Sequence, residues 1–147
     1  PIHQEFGVEL VGRLQLVDAK GNVLRGLNFL TLPSKCAFGE DAPEKPAPPT
    51  KTSTSTAPLP PPTPSRFLVC AVPRDQLGFA KSELPDAYYK KSLFTVDDFY
   101  RIDLQTGDTR ALLTNHATEV DGTHLRAVGK QLFFLNRYDQ KLYSLPL

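Results

Sequence analysis

Short apolar runs separated by turn residues set the rhythm of this chain, and no long helical stripe competes with them. The clearest stretch is Thr123 to Leu147. Leu125 to Val128 reads as one strand, and Gly129-Lys130 as a two-residue turn. Gln131 to Asn136 follows, with Leu132 to Leu135 forming an apolar run short enough for a buried strand. Arg137 to Gln140 turns the chain again, and Leu142, Tyr143 and Leu145 lead a third strand. Such a unit has a face to bury and no helix to bury it against, so it needs copies of itself.

Similar segments occur upstream. Gly7 to Phe29 reads as a hairpin around Asp18-Ala19-Lys20-Gly21-Asn22, where Gly21 is available for positive φ. Lys35 to Phe38 is a short strand behind Pro33, and Phe67 to Val72 is a strong one closed by Pro73. Phe99 to Leu104 and Thr109 to Leu113 flank a turn at Gln105 to Asp108. Between them, 74–91 has weak periodicity, with one helical turn expected within Ser82 to Lys91.

The segments repeat. Phe99 to Leu104 matches Leu142 to Leu147 at a spacing of 43 residues. Leu14-Gln15-Leu16, Gly21-Asn22 and Leu27 match Tyr100-Arg101-Ile102, Gly107-Asp108 and Leu113 at 86 residues. A period of about 40–45 residues with four strands is that of a β-propeller blade. The expectation is therefore an all-β chain of about two to two and a half four-stranded antiparallel blades, part of a larger propeller or assembly. Residues 1–39 supply the last two strands of one blade and the first of the next. Residues 40–66 are an insertion, 67–113 complete the enlarged blade around the 74–91 loop, and 114–147 supply three final strands. Open ends of this kind leave unpaired edges and apolar faces that a neighbour must cover.

Composition alters this picture in three places. Nine of the fourteen prolines and eight Ser or Thr lie in Glu40 to Ser65, beside one large apolar residue, Leu59. Too little can be buried there to offset ordering, so a disordered or polyproline-like insertion is expected. It also resembles O-glycosylated spacers and carries P-x-x-P spacing within Pro58 to Pro64. Methionine is absent even at position 1, which reads either as an initiator removed before Pro1 or as a missing upstream signal or anchor; the repeat count favours the second. Finally, a net charge of +1 points away from nucleic acid as the main partner. No apolar run approaches the roughly 18 residues of a membrane span.

The succession Asp-Phe-Tyr-Arg-Ile-Asp-Leu-x-Thr-Gly, Asp-Gly-Thr-His-Leu, Leu-Phe-Phe-Leu-Asn and Leu-Tyr-Ser-Leu resembles TolB-like, or WD40-like, β-propeller repeats. The resemblance covers residues 95–147 well and 8–30 and 67–72 loosely. It departs from the family at Ala127 to Lys130, which is shorter than the usual Ser-Pro-Asp-Gly turn, and it has no Trp-Asp dipeptide. It implies an extracytoplasmic, cell-envelope interaction scaffold, often membrane-tethered, with no catalytic residues and no cofactor.

Candidate chemistry is sparse. Cys36 and Cys70 fall on neighbouring strands of one blade, near the positions of Leu125 and Leu135 in the closing unit. Adjacent strands satisfy disulfide geometry, and the bridge would stabilise by roughly 3–4 kcal/mol through loop closure. Two buried thiols in a reducing compartment are the alternative. His3, His116 and His124 show no metal-ligand spacing. Asp97-Asp98 and Asp121 stand at strand starts, where acid–base or Ca²⁺ roles compete with ordinary acidic turns. Phe79, Tyr88, Tyr89, Lys90 and Lys91 are a candidate partner-binding surface, because tyrosine gives contact area at low entropic cost. The competing reading has Tyr88 and Tyr89 capping the enlarged blade.

The function expected is a non-enzymatic extracytoplasmic module whose partner is another protein or copies of itself. Two alternatives remain open: the propeller portion of a peptidase-like enzyme lacking its catalytic domain, and a surface filament or layer subunit completed by strand pairing.

Overall fold

A computed structural model describes residues 13–41 and 66–147. Residues 42–65 of the expected insertion and the start of the expected first hairpin lie outside the described residues, while Glu40 and Arg66, at the insertion's expected ends, pair as strand residues. The fold is all-β. Nine strands form three antiparallel sheets among the described residues, with two, four and three strands in chain order. The first sheet pairs β1 (Arg13–Val17) with β2 (Val23–Leu30). The second is a meander of β3 (Cys36–Glu40), β4 (Arg66–Pro73), β5 (Asp97–Asp103) and β6 (Thr109–Leu113). The third joins β7 (Gly122–Val128), β8 (Gln131–Asn136) and β9 (Leu142–Pro146).

The sheets stack because β4 is apolar on both faces. Phe67, Val69 and Ala71 point to the third sheet and meet Leu125, Leu132 and Phe134. Leu68, Cys70 and Val72 point the other way and meet Leu27, with Leu14 and Phe29 packed alongside. Side chains alternate across a strand, so an uninterrupted apolar run needs a cover on each side. Phe99 of β5 stacks on Phe134 with ring centroids 4.7 Å apart. Gly122 permits that approach, since a Cβ there would lie 2.9 Å from the Phe99 ring.

The turns follow the expected chemistry. Gly107, between β5 and β6, has φ +82°, and the Arg25 guanidinium occupies the space of its missing Cβ. Arg25 also donates to the Thr106 carbonyl oxygen at 3.2 Å, tying the first sheet to the second. The β7–β8 pairing is irregular: His124 has φ 52°, and the register shifts between Thr123 and Arg126. Leu135 pairs with Thr123, two residues from the expected Leu125, and the bulge supplies one residue of that offset.

The 74–91 segment holds two short helices, α1 (Gln76–Lys81) and α2 (Asp86–Tyr89). Only the second lies where a helical turn was expected. The first starts at Asp75, whose side chain accepts from Gly78 N at 2.8 Å, a cap worth about 1 kcal/mol. Gln76 then binds the end of β2: its Oε1 accepts from Leu30 N at 2.6 Å and its Nε2 donates to Leu30 O at 3.1 Å. Phe79 and Tyr88 turn inward and pack with Leu32.

Cys36 and Cys70 are register partners in β3 and β4 and are joined as a disulfide. Their sequence separation is 34 residues. Replacing both by alanine is expected to lower unfolding free energy by roughly 3–4 kcal/mol through the lost loop constraint, measured as a reduced urea midpoint with a steeper slope, because the uncrosslinked unfolded chain exposes more surface.

Candidate functional site

Lys35 ends a short 3-10 turn, Pro33–Lys35, directly before β3, and its side chain is fully buried. Its ammonium donates to Asp97 Oδ2 at 2.5 Å, Asp121 Oδ1 at 2.7 Å and the Gly122 carbonyl at 3.2 Å. Asp97 opens β5 and Asp121 directly precedes β7. Both carboxylates are fully buried. Asp121 Oδ2 accepts from Arg137 Nη1 at 2.7 Å and from Thr95 N at 3.1 Å. Asp97 Oδ2 also accepts from Gly122 N at 2.8 Å.

Tyr88 of α2 closes the cluster. Its hydroxyl donates to Asp121 Oδ1 at 3.2 Å, and its carbonyl accepts from Arg137 Nη2 at 2.7 Å. The Arg137 guanidinium lies 3.8 Å from the centre of the Tyr88 ring, a cation–π geometry. Two cations and two carboxylates balance, which is the condition for keeping ionised groups out of water. The network fastens five chain segments, from the turn before β3 to the residue after β8.

Burial opposes the charge on Lys35, but Asp97 and Asp121 outweigh it and raise its pKa above the ordinary 10.5. Burial raises the Tyr88 phenol above its ordinary 10.0. Burial also raises Asp97, against the pull of Lys35.

The sequence-derived candidates separate here. Phe79 and Tyr88 are 2% and 3% exposed, so the expectation that they contact a partner is corrected: Phe79 packs against Leu32, and Tyr88 serves the ionic cluster. Tyr89 is 60% exposed, and Lys90 and Lys91 face solvent. Asp98 pairs with Arg74 at 2.7 Å. The His116 ring nitrogens lie 2.6 Å from the Thr118 carbonyl oxygen and 2.7 Å from that of Asp97, while His124 is exposed at the β7 bulge. His3 lies outside the described residues. Lys35 was missed as a site residue, although a lysine abutting an apolar strand, with aspartates at two other strand starts, was a readable signal.

Other candidate contact surfaces are the end faces. On the side of the third sheet away from β4, Leu142, Val128 and Leu135 are 66%, 54% and 36% exposed. On the side of the first sheet away from β4, Leu24 and Val17 are 61% and 49% exposed. The free edge of β9 is blunted. Asn136 N bonds Lys141 O, and Leu147 N bonds Lys130 O, so alternation turns Leu142, Ser144 and Pro146 outward. Pro146 has no N–H to offer there.

No family model, curated protein or solved structure matches the chain.

Lys35→Met leaves two buried carboxylates facing one guanidinium and is expected to cost about 3–5 kcal/mol. The linkage sign is set by raised pKa values. Native Lys35 and Tyr88 hold their protons more tightly than the unfolded chain does, so their contribution is complete below about pH 10 and declines as pH rises above 10.0–10.5. Urea unfolding of the native chain between pH 9 and 11.5 should show this decline, and Lys35→Met should flatten it.

Proposed function

We propose that this chain is a run of successive propeller blades that works outside the cytoplasm as a non-enzymatic binding and structural module. The observation that carries this reading is the unequal covering of the sheets. The middle sheet buries both faces between neighbours. Each end sheet keeps apolar side chains exposed on its far face. A further sheet of the same kind, from a longer chain or from another copy, meets that requirement.

Three observations add support. Strands β1, β5 and β9 stand at the 86- and 43-residue spacings found in the sequence. Among the described residues, the middle sheet has four strands in meander order, the strand number and order of a blade. The disulfide fits an oxidising compartment. No helix among the described residues is long and apolar enough to cross a membrane.

Sedimentation equilibrium provides the test. The 16.3 kDa chain should associate with rising concentration, and Leu142→Glu combined with Val17→Glu should return it to a monomer of unchanged thermal stability. A native chain that stays monomeric at millimolar concentration would remove the reading.

A further inference from the structure

A pocket of about 310 Å³ opens beside the ionic cluster. One wall is Thr123 and Leu135, from the uncovered side of the third sheet; the opposite wall is Tyr89 and Lys91, at the end of α2. Ser34 and Arg137 also line it. The lining has no carboxylate: the two acidic groups of the cluster are buried behind it. The volume lies at the lower end of the range for small-ligand sites.

The lining carries hydrogen-bond donors that are not in use. Ser34 Oγ is buried with no partner among the described residues. Arg137 donates three hydrogen bonds, to Asp121, Leu93 and Tyr88. A guanidinium has five N–H groups, which leaves two without a partner among the described residues. The Lys91 ammonium is exposed and makes no ion pair among the described residues. Three of the four non-glycine residues with positive φ, Lys91, His124 and Gln140, line this pocket. Such conformations cost about 1–2 kcal/mol each in an L-residue and gather at ligand-contacting positions.

We propose that this pocket binds a carboxylate carried on a small organic body. Lys91 and the free Arg137 N–H groups would hold the charge, Ser34 would donate to an oxygen, and Leu135 and the Tyr89 ring would flank the carbon skeleton. The apolar walls favour an organic acid over a bare inorganic anion. A carboxylate of this kind comes either from an acidic residue of an extended peptide or from a free small acid. The inference concerns the chain with the far face of its third sheet free at Leu135, since a neighbouring sheet seated on that face would adjoin the pocket wall.

A titration followed by ¹H–¹⁵N correlation spectra of the full chain tests this directly. The probes are Ac-Ala-Glu-Ala-NH₂, its glutamine counterpart, succinate and inorganic phosphate. The Glu peptide or succinate should shift the amides of Lys91, Thr123, His124 and Gln140. Response to the peptide alone assigns a peptide source; response to succinate alone assigns a free acid. Lys91→Gly, which accepts φ 58° without strain, should weaken binding by roughly tenfold. Lys91→Asn, also tolerant of this conformation, is the second variant and should weaken it likewise. No saturable shift with either acid at millimolar concentration overturns the proposal. So does an equal response to the glutamine peptide or to phosphate, or unchanged affinity in a folded Lys91 variant.

Discussion

A buried ammonium cannot be left alone, and much of the arrangement of this molecule follows from that. Lys35 sits where the first sheet hands the chain to the second, out of reach of water. Carboxylates must meet it there, and they come from strand starts far along the chain, Asp97 and Asp121. Arg137 balances the second carboxylate and draws in Tyr88. Sheet packing alone tolerates small slides between neighbours. A salt bridge of 2.5–2.7 Å does not, so the cluster fixes how the second and third sheets sit at one end. Such a network adds little net stability compared with a well-packed apolar substitute. We read its contribution as the specification of one arrangement.

The sheets and the network divide the work. Burial of Phe67, Val69, Ala71, Phe99, Leu132 and Phe134 drives the association of the faces. That force is non-directional. Directionality comes from polar contacts at the ends: Lys35 at one junction, Gln76 clasping Leu30, and Arg25 reaching the turn before β6. The 74–91 segment belongs to this second group. Its helices are too short to form a layer, yet they deliver Gln76, Phe79 and Tyr88 inward and leave Tyr89 and Lys91 outside.

The strands were legible because their signals are local. Alternation, a glycine in three of the four tight turns and the 43- and 86-residue spacings located eight of the nine strands closely. The pairing of Cys36 with Cys70 followed from placing two strands side by side. The bulge at His124 was not legible, because a histidine in a left-handed conformation has no sequence signature. The α1 helix was hidden by Gly78 and by a length too short to show a period. The ionic cluster was missed for a different reason. Its members are separated by 62 and 86 residues, and aspartates at strand starts look the same whether they face solvent or a buried lysine. Tyr88 was read with Tyr89 as one aromatic pair, although adjacent residues on a helical turn point in different directions.

The position of the disulfide bears on how this chain tolerates cutting. Its two half-cystines lie inside the β3–β4 pair, so a peptide bond severed anywhere between 41 and 66 leaves both pieces covalently attached. The hydrogen-bond ladder between them would also be intact. Proteolytic nicking there would not release either half.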